Sequence, residues 1–154
     1  MMLFKKILLV LVIVFIVFQF LQPAYNKNRQ VLPTDLTKTV SVPNDVQIIL
    51  RKACYDCHSN NTNYPWYMNV QPVGWVMASH IKDGKENLNF SEFGSYSNRK
   101  QANKLRAILQ SIDEGSMPIS SYTMLHTDAR LNKKSKEFIK DWITTTRDSL
   151  LATR

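Results

Sequence analysis

The fold of this chain is built around the stretch PNDVQIILRKACYDCH, which runs from Pro43 to His58. Asn44 is the predicted N-cap of a helix, and Gln47 three residues later completes a variant of the capping box. The apolar residues that recur at helical spacing behind this cap are Val46, Ile49, Leu50 and Ala53. This periodicity predicts an amphipathic helix that continues into Cys54-Tyr55-Asp56-Cys57-His58.

Cys-x-x-Cys-His is the attachment motif for a c-type haem. Two cysteines three residues apart on a helix point the same way, so both thiols can form thioethers with the two vinyl groups of one porphyrin. The next residue then lies beneath the ring, where its imidazole can bind the iron. The motif therefore predicts one covalent haem c, with Cys54 and Cys57 as its carriers and His58 as the proximal iron ligand.

The two cysteines also allow three other interpretations. A thioredoxin-type dithiol belongs at the start of a helix that follows a strand, and no strand is predicted here. A zinc site could use Cys54, Cys57, His80 and His126, but the two histidines lack metal-ligand spacing. A short disulfide between Cys54 and Cys57 is the third. The export signal described below favours haem, because haem is attached to such motifs outside the cytoplasmic membrane.

The sixth iron ligand has several candidates. Met117 lies in a predicted loop, and Pro118 stiffens the backbone that carries its sulfur. His80 would give bis-histidine ligation and a lower potential, whereas a structural hydrogen-bonding role is favoured for His126. The remaining methionines fit other roles, as core, haem-edge or loop residues: Met77, Met68 and Met124. Met117 is the expected ligand, with His80, His126 or no firm ligand as alternatives.

The N-terminus carries an export signal. Lys5 and Lys6 precede an apolar block, Ile7–Leu21, that is interrupted only by Gln19. Only Ala24 supplies a small residue near a cleavage site, so an uncleaved signal-anchor is expected over a cleaved signal peptide. The two lysines predict that the N-terminus stays in the cytoplasm and that the rest of the chain is exported. The alternative is a soluble periplasmic form, released by cleavage.

Three segments are predicted. Residues 1–24 form the signal-anchor or transmembrane segment, 25–42 a linker that holds the domain off the membrane, and 43–154 a monohaem cytochrome-c-like domain. The fold class is all-α, with about four helices and long loops after the N-terminal transmembrane helix. The second helix is predicted from Val73 to Ile81 and ends by Gly84. A third helix is predicted to begin after an N-cap at Ser97 and to end before Gly115. A last helix is predicted to begin after an N-cap at Asn132. An extended segment is predicted from Met117 to His126.

Composition limits the remaining classes of protein. The chain has 154 residues, a net charge of +8, two cysteines and four glycines, which excludes disulfide-rich and glycine-rich proteins. Nucleic-acid binding is improbable for an exported domain. Four basic residues on the predicted exposed side of the last helix could dock an acidic redox partner: Lys133, Lys134, Lys136 and Lys140.

The chain resembles the haem-binding domain family of small exported bacterial cytochrome-c-like proteins. The resemblance covers Pro43 to about Ile143 and rests on four stretches: CHSNNTNYPWY, HIKDGKENLNFSEF, GSMPISSY and the run from His126 to Trp142. It implies one haem c on Cys54 and Cys57, with His58 proximal and Met117 as the sixth ligand.

A membrane-tethered monohaem cytochrome that carries single electrons is the function expected from these features. Such a carrier is not an enzyme, and no catalytic residue is assigned. Two alternatives stay open. One is a gas sensor or peroxidase with an open or weakly ligated sixth site, and the other is the haem-bearing accessory subunit of a membrane enzyme.

Overall fold

The computed structural model describes residues 2–152, which are mostly helical. Eight α-helices are numbered in chain order: α1 Met2–Gln19, α2 Leu36–Thr39, α3 Asn44–Ala53, α4 Tyr55–His58, α5 Val73–Asn87, α6 Asn98–Asp113, α7 Ser120–Leu125 and α8 Lys133–Ala152. Short 3-10 helices span Trp66–Asn69, Phe90–Ser95 and Thr127–Ala129. Residues 2–152 contain no sheet, and one isolated antiparallel bridge pairs Lys27 with Asn61. The predicted all-α class and the N-terminal apolar helix are confirmed.

The core of the domain lies where α6 packs along α8 and α3 contacts α8. Each helix buries one apolar stripe, as helical periodicity requires. The side chains that are almost completely buried at this junction are Leu50, Leu105, Ile139 and Ile143. Two predicted caps are confirmed: Ser97 accepts from the Lys100 N–H at the start of α6, and Asn132 accepts from the Ser135 N–H at 2.8 Å. Gly115 follows α6 with φ +70°.

The predicted capping box at Asn44 was wrong. Pro43 is the N-cap of α3 and makes no side-chain hydrogen bond to it, while Asn44 is already helical. The Gln47 side chain instead donates to the Val42 carbonyl oxygen at 2.9 Å. The helix also does not continue through the cysteine motif, because Cys54 interrupts it with φ −131° and ψ −42°.

Two later segments also differ from the prediction. The second helix does not end by Gly84 but runs on to Asn87 as α5. Gly84 lies where the Cys57 carbonyl oxygen approaches the helix so closely that a Cβ atom would stand 2.6 Å from it. The glycine therefore permits a close helix contact and does not end the helix. The segment after Met117 is not extended throughout, because Ser120–Leu125 folds as α7.

Part of the segment predicted as a linker, 25–42, packs on the domain. Leu36 in α2 is completely buried. Nearer α1, residues 26–28 form a clasp with residues 60–62, in which the Asn28 N–H donates to the Asn60 carbonyl oxygen at 3.0 Å. In the same clasp, the Thr62 N–H donates to the Asn26 carbonyl oxygen at 2.9 Å. These contacts hold the segment against the loop that follows α4.

Candidate functional site

The cysteine motif opens into a cavity of about 400 Å³ between α4, α5, α6 and α7. This volume lies within the range of ordinary ligand pockets. Its walls are mainly apolar, with contributions from Ala53, Leu88, Phe90, Ala107, Ile108, Ile112, Pro118, Ile119 and Leu131. Cys54, Cys57 and His58 line the same cavity. The three residues that the motif predicts to bind haem therefore border one cavity.

His58 is oriented by the backbone of the segment that follows α5. Its Nδ1 atom lies 3.1 Å from the carbonyl oxygen of Leu88. A carbonyl oxygen only accepts, so Nδ1 carries the proton and Nε2 keeps its lone pair. Burial lowers the pKa of His58, against the opposing effect of its backbone hydrogen bonds, and so favours the neutral ring. A neutral imidazole with a backbone acceptor on its second nitrogen is the usual arrangement of an iron-binding histidine.

The two thiols are in an apolar environment. Burial, assisted by the neighbouring Cys57, raises the pKa of Cys54 to about 12. Burial and the adjacent Asp56 raise the pKa of Cys57 to about 11. Both cysteines are free, and both thiols are protonated near neutral pH. Dithiol oxidoreductases need the opposite shift, a lowered thiol pKa, so the site does not suit that chemistry.

The backbone of the motif is fixed by Asp56, whose role the sequence did not suggest. Its carboxylate accepts from the Tyr122 hydroxyl at 2.7 Å and from the Asn63 N–H at 3.0 Å. Its carbonyl oxygen accepts from the Thr62 hydroxyl at 2.6 Å. These bonds hold the residue between the two cysteines to α7 and to the loop after α4. Nothing local in the sequence indicates them, because Tyr122 lies 66 residues away.

The back of the motif packs on aromatic rings. Tyr55 stacks on Phe90 with ring centroids 4.9 Å apart, and the His58 ring meets Phe90 edge-on at 6.3 Å. Phe90 is 1% exposed. The histidine is therefore held by packing on one side and by the Leu88 carbonyl on the other, which limits its rotation.

Two of the three candidate sixth ligands line the cavity. Met117 is 41% exposed at its edge. His80 also lines it, and its buried Nδ1 atom has no hydrogen-bond partner among residues 2–152. An unpaired buried ring nitrogen of this kind costs free energy.

The third candidate, His126, does not line this cavity. Its Nε2 atom shares a hydrogen bond with the Tyr67 hydroxyl, and its ring stacks on Tyr122 at 4.2 Å. His126 instead borders a second, much smaller cavity, which Cys57 also lines, on the other side of Tyr122 from His80 and Met117. Among residues 2–152, no three or more His, Cys, Asp or Glu side chains form a group that could hold a metal ion, so the four proposed zinc ligands do not assemble.

The other methionines have different surroundings. Met68 is buried, Met77 packs against the small cluster around Ala53 and Tyr122, and Met124 is 69% exposed. Lys104 and Asn87 are lining residues that the sequence did not single out. The pattern of apolar residues along a helix identifies its buried face. It does not show which polar residues of that helix border a cavity.

The cavity, the free thiols and the oriented imidazole fit a haem. The model of a known family, the haem-binding domain, matches residues 13–145, and no curated protein and no solved structure matches the chain. The matched range includes the whole cavity and the clasp between residues 26–28 and 60–62. This chain therefore belongs to the haem-binding domain family and binds haem.

Proposed function

We propose that the protein is a membrane-tethered monohaem c-type cytochrome that carries single electrons. The observation that supports this best is the position of both thiols beside His58 in one cavity, with Nδ1 of His58 bonded to the Leu88 carbonyl oxygen. Each thiol of Cys54 and Cys57 would add its S–H across a vinyl C=C bond, which forms a thioether without an oxidant. The bound haem would supply a reversible one-electron exchange between ferric and ferrous iron.

The protein's own residues would set the properties of that exchange. His58 offers Nε2 to the iron and keeps its orientation through Leu88 and Phe90. The apolar walls would exclude water from a bound haem, and burial of this kind is one of the factors that set a haem potential. Asp56 and Tyr122 fix the backbone between the two cysteines, both of which line the cavity.

Met117 is the proposed sixth ligand. It lies at the cavity edge in the loop between α6 and α7, and Pro118 restricts the backbone beside it. A thioether is a soft ligand that favours ferrous iron, so His/Met coordination raises the potential. His80, whose Nδ1 atom has no hydrogen-bond partner among residues 2–152, is the alternative ligand.

The proposed location is the cytoplasmic membrane, with the haem domain outside. One N-terminal helix, α1, is long and apolar enough to cross a membrane, and no side chain in it is buried. Lys5 and Lys6 favour a cytoplasmic N-terminus. Exposed lysines of α8 would dock the redox partner: Lys133, Lys134, Lys136 and Lys140.

Extraction of the full-length protein with acidified acetone tests the attachment. The haem should stay with the polypeptide, and mass spectrometry should show one haem per chain. The double variant Cys54→Ala/Cys57→Ala should release any haem it binds. Free extraction from the unaltered chain, with both thiols open to alkylation, would exclude covalent attachment.

A second candidate function is favoured by the 41% exposure of Met117. An exposed side chain that leaves the iron readily would make the protein a sensor of diatomic gases or a peroxidase. The absorbance spectrum of the reduced protein under carbon monoxide separates the two functions. An unchanged spectrum favours the electron carrier, and rapid formation of the carbon monoxide adduct favours the open site.

A further inference from the structure

The end of the membrane helix is bound directly to the domain. Gln19, the last residue of α1, accepts from the Gln71 N–H at 2.9 Å. The Gln71 side chain donates to Gln22 at 2.8 Å, and Gln22 donates to the Asn69 carbonyl oxygen at 3.0 Å. Gln71 is completely buried by these contacts. The domain therefore begins at the level where the helix ends, with no free spacer between them.

Trp75 lies at the same level as the last turn of α1. Its ring meets Phe18 edge-on with centroids 5.3 Å apart, and its indole N–H donates to the Leu21 carbonyl oxygen at 2.7 Å. The 18 residues of α1 rise about 27 Å, close to the ~30 Å hydrocarbon core. Phe18 is then near the boundary between acyl chains and headgroups, which is where tryptophan rings concentrate in membrane proteins.

The segment from Trp66 to Val76, called here the membrane-facing segment, exposes apolar side chains beside this contact. Trp66 is 77% exposed and Val76 is 52% exposed. Val70 and Val73 are also exposed, and Val73 and Val76 share one face of α5 because they are three residues apart. Neighbouring exposed apolar residues of this kind indicate a surface that another apolar phase covers.

The charges around the segment suit a lipid surface. The sequence has no Asp or Glu from residue 1 to residue 34, nor from residue 57 to residue 82. These are the two stretches that meet at the end of α1. Lys27 lies among them, with its ammonium 5.4 Å from the centre of the Tyr64 ring. Basic groups without opposing carboxylates are attracted to anionic headgroups.

We propose that the membrane-facing segment lies in the headgroup region of an anionic phospholipid bilayer and fixes the orientation of the haem cavity to the membrane. This inference rests on the anchoring of α1 given under the proposed function. It goes further, because a tethered domain need not touch the bilayer. In this proposal lipid covers the surface, because the contacts of Gln19 and Trp75 hold the membrane-facing segment beside the end of α1.

Spin labels on the full-length, haem-loaded protein test the inference. Single variants Val76→Cys and Lys140→Cys carry a nitroxide in vesicles of phosphatidylcholine and phosphatidylglycerol. Lys140 is the control, since it is exposed on α8, which packs against α6 and α3. The measured quantity is the ratio of the collision rate with oxygen to the collision rate with a water-soluble nickel chelate. We expect this ratio to be severalfold higher for the label at residue 76 than for the label at residue 140. Trp66→Cys should behave like Val76→Cys.

Equal ratios at residues 76 and 140 would overturn the inference. A label at 76 that is shielded from both reagents, and that broadens as protein is added, would identify a second copy as the occupant and also overturn it. Release of the protein from vesicles by alkaline carbonate would overturn it together with the anchoring. The haem absorbance of the same samples reports separately on the proposed function, because a normal spectrum with a water-exposed label contradicts the membrane contact alone.

Discussion

The hydroxyl of Tyr122 donates a hydrogen bond to Oδ2 of Asp56 across 2.7 Å, and so joins α7 to the middle of the cysteine motif. Tyr122 is 7% exposed. The bond therefore lies inside the protein, between the segment that carries Met117 and the segment that carries both thiols. Loss of this bond should therefore disturb two walls of the cavity, the one formed by α7 and the one formed by the cysteine motif.

Tyr122→Phe should lower the free energy of unfolding by about 1.5–3 kcal/mol, the usual contribution of a hydrogen bond to a charged group. Asp56 would keep only the Asn63 N–H on its carboxylate. Urea unfolding of the haem-loaded protein, followed by far-ultraviolet circular dichroism, measures the loss. Tyr25→Phe is the control, because Tyr25 is 54% exposed. Equal effects of the two changes would contradict the assigned role of the buried bond.

The same residue predicts a pH dependence. Burial, and then the hydrogen bond to Asp56, raise the pKa of Tyr122 above its ordinary value. Unfolded tyrosine loses its proton near pH ~10, so the stabilising contribution is complete below that pH and is lost as the pH rises above it. The free energy of unfolding should therefore fall above pH ~10 and fall less in Tyr122→Phe. Identical pH profiles for the two proteins would exclude this contribution.

Met117→Ala tests the sixth ligand. The haem should stay attached, because the proposed thioethers and the proposed ligand His58 are untouched. The potential should fall, the reduced protein should bind carbon monoxide readily, and the near-infrared sulfur-to-iron band of the oxidised protein should vanish. Met124→Ala, at a methionine that is 69% exposed, should change none of these. If Met117→Ala keeps the original spectrum while His80→Ala alters it, the ligand is His80.

Gly84→Ala tests the close contact between α5 and α4. The added Cβ would stand 2.6 Å from the Cys57 carbonyl oxygen, so the two helices must separate. We expect a loss of about 1–3 kcal/mol in the free energy of unfolding and a lower yield of attached haem. Ser79→Ala, at an exposed position of the same helix, is the matched control. A stable Gly84→Ala protein with a full complement of haem would show that the contact is not required.

Leu36→Ala tests whether α2 belongs to the folded domain. Leu36 is completely buried, so its truncation should cost about 2–5 kcal/mol of unfolding free energy. Val31→Ala, at a position 62% exposed in the same segment, should cost far less. Thermal unfolding monitored by circular dichroism compares them. An unchanged midpoint for Leu36→Ala would show that residues 25–42 are a linker after all.

Local signals in the sequence were sufficient for some of these features and insufficient for others. Ser97 and Asn132 cap helices through bonds to residues three positions away, so the pattern alone predicts them. The motif Cys54–His58 likewise predicts haem binding from five consecutive residues alone. The four residues of α2 are too few to show helical periodicity, which hid Leu36 in the predicted linker.

The missed features depend on partners that are distant in the chain. Gly84 looked like a helix end because a glycine ends many helices, whereas its real neighbour is the Cys57 carbonyl oxygen on another helix. His80 and Met117 share a cavity whose walls come from several helices, α4, α5, α6 and α7. Spacing within one helix cannot show which side chains meet across helices.

The clasp between residues 26–28 and 60–62 has a mechanical consequence. Tension on α1, from lateral movement in a membrane or from a partner pulling on the domain, would not be absorbed by slack chain. The backbone bonds from Asn28 to Asn60 and from Thr62 to Asn26 would transmit it to the loop that follows α4, two to four residues after His58. If α1 anchors the chain as proposed, the domain would carry this load at two places, the contact of Gln19 with Gln71 and the loop just after His58.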